Sequence, residues 1–179
     1  EFVHFEGLSQ MMIDNLTVIE KSNCYQILDE ILIDMANDCR GDSLMTAKWL
    51  AQCASIHSPN TIRTLAELYT GDHPKSSMIS KNTPNHLYSL ILRFSSNPYF
   101  HQLVAVNDSE NAPGYEFLTN CILDIDSKNS IVASRLASVF EIADSLPDRN
   151  KKCMKECIHM IIDKPDLSAS TREILSTLI

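Results

Sequence analysis

Apolar residues recur at helical spacing along almost the whole chain. Ile62, Leu65, Ala66 and Tyr69 stand at i, i+3, i+4 and i+7, and so do Leu87, Leu90, Ile91 and Phe94. On an α-helix such positions share one face, so each set predicts an amphipathic helix. Tyr25, Leu28, Leu32 and Met35 form a further stripe, and Met45, Trp49 and Cys53 another. Later stripes are Tyr115, Leu118, Ile122 and Ile125, then Val132, Leu136, Val139 and Ala143, then Met154, Ile158, Ile161 and Ile162. No strand-like alternation lasts beyond about four residues, apart from an ambiguous run over Gln102–Val106. The pattern predicts an all-α fold.

Turn chemistry separates the stripes at short intervals. Arg40-Gly41-Asp42 ends one helix, and Asp42 or Ser43 is placed to cap the next. Ser58-Pro59-Asn60, Gly71-Asp72-His73-Pro74 and Ser96-Asn97-Pro98 break the chain again, and Thr83-Pro84 puts a proline near the first turn of the Leu87 helix. Residues 103–113 form the longest irregular stretch. Asp126–Asn129, Leu146-Pro147-Asp148 and Lys164-Pro165-Asp166 make the later turns. About eight to ten helices of roughly 10 to 17 residues, joined by short loops, imply antiparallel neighbours stacked in sequence. Antiparallel hairpins stacked as an α-solenoid, a superhelix of the ARM/HEAT kind, fit better than a closed four-helix bundle, which leaves the extra helices without partners. The expectation is a single all-helical domain over 1–179.

Composition narrows the function classes. With 179 residues, 44 % of them apolar, the chain can bury a core. Fifteen Lys and Arg against 23 Asp and Glu give a formal charge of −8, which argues against nucleic acid as a partner. No apolar run is long enough to span a membrane and no signal-like start is present, so a cytoplasmic protein is expected. Six cysteines then read as reduced core thiols rather than three disulfides. Cys153 and Cys157, at i and i+4, lack a second Cys/His pair to complete a metal site. Arg149, Lys151, Lys152 and Lys155 read as a solvated helix face.

Catalytic motifs are absent: there is no H-E-x-x-H, G-x-S-x-G, phosphate loop or dinucleotide glycine fingerprint. His57, His73, His86 and His101 sit at helix ends or in loops and read as polar loop residues. Asp124 and Asp126 flank a turn, where carboxylates cap or stay solvated. Trp49 follows an apolar period and reads as core. From its residues alone, the chain is a helical scaffold without a self-contained active site.

Several short segments occur in a telling order. They are Asn97-Pro98-Tyr99-Phe100-His101, Gly114-Tyr115-Glu116-Phe117-Leu118, Asp126-Ser127-Lys128-Asn129 and Val132-Ala133-Ser134-Arg135-Leu136. With Lys48-Trp49 before them and Asp166-Leu167-Ser168 after, the series resembles the C-terminal helical domain of M1-family zinc aminopeptidases of the aminopeptidase N (alanyl aminopeptidase) type, found in bacteria and protozoan parasites. The likeness is good over 42–179 and weak over 1–41. The sequence departs from the family pattern in four places. Ser130-Ile131 replaces Pro-Gln, and Ala112-Pro113-Gly114-Tyr115 replaces the G-S-G-Y turn. Tyr88 stands where many relatives have arginine, and an Arg-Tyr pair is missing from Ile142 to Asp148.

The resemblance implies an enzyme that cleaves single residues from peptide N-termini. Its Zn2+ is held through H-E-x-x-H and a downstream Glu in another domain of the same polypeptide. This chain then holds no cofactor and is inactive alone. Its partners are that catalytic domain and peptide substrates, and its role is to close the substrate chamber and restrict entry. The residues the resemblance places at the chamber wall are Arg135, Ile131 and Tyr88. For Arg135 the alternative is a structural ion pair with a nearby carboxylate. For the whole chain the alternative is a freestanding helical-repeat module that binds a peptide or protein.

Overall fold

A helix forms at each expected stripe, and one more follows the last turn, where no stripe was read. The computed structural model describes residues 18–106 and 109–179. In chain order the helices are α1 (Val18–Asp38), α2 (Ser43–Ser55), α3 (Thr61–Thr70), α4, α5 (Pro113–Asp126), α6 (Ser130–Ala137), α7 (Asp148–Ile162) and α8 (Ala169–Ser176). Helix α4 is composite: Pro84–Leu87 and Arg93–Ser95 are α-helical, and Tyr88–Leu92 between them is a π-helical turn. Asp42 caps α2 by accepting the Met45 N–H at 2.9 Å. Gly71, at φ +108°, ends α3 in the left-handed conformation that glycine adopts without steric cost. Asn129 caps α6 by accepting the Val132 N–H.

The helices stack in two layers. Helices α2, α4, α6 and α8 lie side by side in one, and α3, α5 and α7 in the other. Helix α5 packs across the layers onto α6, and α1 packs on α2. This is the helical-hairpin stack that the short loops predicted. Its core contains Leu87, Leu90, Ile91, Phe94, Tyr115, Leu118, Ile122, Leu136, Met154, Ile158 and Ile161. Trp49 is buried too, and its Nε1–H donates to the Leu32 carbonyl at 2.9 Å, tying α2 to α1.

Four expectations need correction. The irregular stretch contains a short antiparallel ribbon, β1 (Val104–Val106) against β2 (Ser109–Asn111), with Val104 opposite Asn111. Two valines favour extended backbone, and the ribbon pairs backbone groups that would otherwise need water. The helix expected from Asn129 to about Asp144 is α-helical only to Ala137 and continues as a 3₁₀-helix over Ser138–Ser145. Its buried residues there, Phe140 and Ala143, are three apart, which matches the 3₁₀ period. Met35 and Met45, read as core, are exposed.

The fourth correction concerns Asp126, which is buried rather than solvated. It accepts the Ser168 N–H at 2.7 Å and the Ser168 and Thr171 hydroxyls at 2.6 Å each. Ser168 is also the N-cap of α8, so the end of α5 holds the start of the last helix. Burial pushes the Asp126 carboxyl up, but these hydrogen bonds, helped by Arg172, outweigh it and leave it below the usual carboxylate range. A depressed folded-state pKa stabilises the fold above the unfolded value of about 3.9, and that contribution is lost as pH falls through the lower folded value.

Two outcomes follow for stability. Leu90→Ala or Leu136→Ala should each cost about 2–5 kcal/mol in urea titrations, because both side chains are fully buried. Asp126→Ala leaves three donors without their acceptor and should cost more than about 2 kcal/mol at neutral pH. It should also flatten the acid limb of the stability profile below about pH 4. An unaltered acid limb would show that Asp126 is not depressed.

Candidate functional site

Helix α6 turns Val132, Ala133, Leu136 and Ala137 into the core, which leaves Ile131 and Arg135 one turn apart on its outer side. Both are exposed, Ile131 by 76 %. Tyr88 is the first residue of the π-helical turn on α4, the neighbour of α6 in the same layer. Its half-buried ring lies under the Arg135 guanidinium, whose central carbon is 4.6 Å from the ring centroid. A cation over an aromatic face is attracted by the ring quadrupole, worth about 0.5–1 kcal/mol at an exposed site. Among the described residues no carboxylate makes an ion pair with Arg135. The ring takes that place. The ring contact uses the cation's charge without using its N–H donors, which can still meet an oxygen. The π-helical turn is itself a rare feature that recurs at functional sites.

Other polar clusters are committed to structure. Asp124 accepts from Lys128 at 2.6 Å, Tyr69 at 2.8 Å and Lys81 at 3.0 Å, while Lys81 also sits 3.8 Å from the Tyr69 ring centroid. Lys128 above all, then Tyr69 and Lys81, hold this carboxyl far below the usual range against the effect of its partial burial. So weak a base cannot take a proton from substrate at neutral pH. Burial pushes the Tyr69 hydroxyl up. Lys151 and Lys155 pair with Asp144 at 2.8 and 3.4 Å, so part of the basic face of α7 is neutralised.

The histidines are similarly engaged. His86 is buried rather than a loop residue. Its Nδ1 accepts the Ser80 N–H, and its Nε2 lies 3.0 Å from both the Ser43 carbonyl and hydroxyl. Tyr115 Oη is 2.8 Å from His101 Nδ1, and Asn150 donates to both Tyr115 Oη and the His101 carbonyl. Burial lowers the His101 pKa, consistent with a neutral ring that accepts from the phenol. The cysteines are free thiols, five of them buried. Burial pushes Cys53 up to about 12 and raises Cys121 and Cys157, so these are poor nucleophiles. Among the described residues no group of three or more His, Cys, Asp or Glu is placed to hold a metal ion.

Of the three residues singled out in the sequence, Arg135 and Tyr88 therefore meet directly, and Ile131 flanks them on α6. The pairing itself had no local signal, since it joins two helices far apart in sequence.

Comparison with known proteins adds three findings. A family model described as "Domain of unknown function (DUF3458_C) ARM repeats" matches residues 9–179. Aminopeptidase N of Haemophilus influenzae is 30 % identical over 135 residues, which are 74 % of this chain and 14 % of that protein. The crystal structure of Legionella pneumophila aminopeptidase A in complex with aspartic acid superposes with a TM-score of 0.70 at 21 % identity, over 88 % of this chain and 17 % of that one. At that identity the structural likeness speaks for the fold. The chain spans less than a fifth of the length of either relative.

Because Arg135 is held by a ring at the surface, Arg135→Ala in the 179-residue chain should lower stability by no more than about 1 kcal/mol. A loss above about 2 kcal/mol in urea titration would instead assign the side chain a structural role.

Proposed function

The chain belongs to the DUF3458_C family of ARM-repeat domains, and we propose that it is the C-terminal, non-catalytic module of a zinc-dependent M1 aminopeptidase acting on peptide N-termini. One observation carries this reading: most of the chain aligns with a small part of a much longer aminopeptidase. The hydrolytic chemistry is assigned to a catalytic domain of the same polypeptide. The zinc belongs there as well, because this sequence has no H-E-x-x-H and its described residues offer no ligand set. Among the described residues no helix is long and apolar enough to cross a membrane. The buried thiols suit a reducing cytoplasmic setting.

In this proposal the module closes the substrate chamber and controls entry. The layer of α2, α4, α6 and α8 contributes the wall, with Arg135, Tyr88 and Ile131 as its contact points. A guanidinium laid on a ring is restrained in position and can still donate parallel hydrogen bonds to a carboxylate or carbonyl oxygen. Ile131 places an apolar side chain beside that donor, where a first substrate side chain can pack.

Kinetics of the complete polypeptide test the site. Arg135→Ala should lower kcat/KM on dipeptides by about tenfold, the loss of one hydrogen bond to a charged group. Ile131→Gln should alter the preference among first residues only a few-fold. Unchanged kcat/KM on substrates of every length, with a lowered Tm, makes Arg135 structural and defeats the assignment. The 179-residue chain alone should release no arylamine from aminoacyl-arylamides and show no stoichiometric zinc by metal analysis. One tightly held zinc per chain would overturn the division of labour.

A further inference from the structure

A small cavity opens where the chain enters helices α4 and α6. It has a volume of about 90 Å³ and is lined by Lys81, Asn82, Asp124, Ile125, Lys128 and Asn129. Lys81 and Asn82 stand on the segment leading into α4, Lys128 and Asn129 on the turn leading into α6. Asp124, near the end of α5, holds the two ammonium groups at 3.0 and 2.6 Å. It also accepts the Tyr69 hydroxyl, so its oxygens are engaged. The lysines keep donors in reserve. An ammonium group carries three N–H donors, and each lysine gives one to Asp124, while Lys81 also lies over the Tyr69 ring. Asn129 commits its side-chain oxygen to the Val132 N–H as the cap of α6, which leaves its amide donors. The Asn82 side chain is exposed and has no hydrogen-bond partner among the described residues.

Donors therefore outnumber acceptors on this wall, and two positive charges stand against one negative. The start of α6 adds the positive end of a helix dipole. One net positive charge suits a monoanion rather than a polyphosphate, and the cavity has room for a carboxylate. We propose that this cavity binds the C-terminal carboxylate of a short peptide substrate. Its placement favours a peptide over a free ion. The helices whose first residues adjoin the cavity, α4 and α6, are the two on which Tyr88 and Arg135 meet. From Asn129 to Arg135 the helix rises roughly 9 Å, a span that an extended chain covers in about three residues. A short peptide with an oxygen at Arg135 can thus bring its own C-terminus to the lysines. This substrate class, short peptides with a free C-terminus, rests on the aminopeptidase reading.

The complete polypeptide should hydrolyse trialanine with a kcat/KM about five- to tenfold above that for trialanine amide. Lys128→Gln and Asn82→Asp should each bring that ratio close to one; the second keeps both lysines and sets a carboxylate in the wall. Lys152→Gln, which removes an exposed charge on α7, should leave the ratio as it is. No preference in an active wild type, or a preference that survives both cavity substitutions, overturns the proposal. The 179-residue chain reports binding without turnover. In its NMR spectra N-acetyl-dialanine should shift the amide signals of Asn82, Asn129 and Ser130, and the C-terminal amide of the same peptide should not. Shifts from inorganic phosphate without shifts from the peptide acid would make the cavity a site for free ions and overturn the peptide assignment. A complete polypeptide without peptidase activity defeats the aminopeptidase reading, while these spectra still judge the cavity.

Discussion

A Cβ on residue 114 would lie 2.3 Å from the carbonyl oxygen of Phe100, so only glycine lets α5 begin where it does. That contact fixes the spacing between the 3₁₀ turn Pro98–His101 and the second half of the fold. The turn is held on its other side by Asn97, which accepts the Tyr99 N–H and donates its amide hydrogens to the Ala54 and Ile56 carbonyls at the end of α2. Between these anchors the Phe100 ring meets Phe94 and Tyr115 edge-on, at 5.7 and 5.1 Å between centroids. The ends of α2 and α4 and the start of α5 are thereby locked together. Since α6 packs on α5, the same lock sets where α6 runs beside α4, and so where Arg135 comes over Tyr88.

Polar groups divide into those that the fold uses and those it leaves available. Asp126 joins α5 to α8, Asp124 gathers two lysines and a phenol, and His101 completes a half-buried network with Tyr115 and Asn150. Their partners, and the lowered basicity of both aspartates, remove them from chemistry on a substrate. Arg135 is placed otherwise: a ring holds it, so its charge is not cancelled. A surface of this kind suits a module that shapes and gates a site whose chemistry is done by another domain.

Much of the fold was legible because apolar spacing is a local property and burial follows it directly. The stripes beginning at Leu87, Tyr115 and Met154 are core helices, and Asp42 caps α2 as a short polar residue before a stripe should. The resemblance drawn from ordered segments is borne out by the ARM-repeat family match and the Aminopeptidase N relative. Those segments turn out to be largely structural, since Asn97, Phe100, Gly114 and Tyr115 belong to the lock and His101 is hydrogen-bonded to Tyr115. What the sequence hid depends on partners distant along the chain. Nothing near Asp126 announces Ser168 and Thr171, and nothing near Tyr88 announces Arg135. Met35 and Met45 obey the helical period yet lie exposed, because a stripe records that a face is apolar and not what covers it.

The central claim is that this helical module lends Arg135 and Tyr88 to a substrate chamber completed by the rest of the polypeptide. A structure of the complete polypeptide with a bound peptide tests it most directly. The account predicts a ligand oxygen within hydrogen-bond distance of the Arg135 guanidinium, Tyr88 still stacked beneath it, and Ile131 against the ligand's first side chain. A peptide bound elsewhere, with Arg135 facing bulk solvent or covered by an unrelated domain, would contradict it.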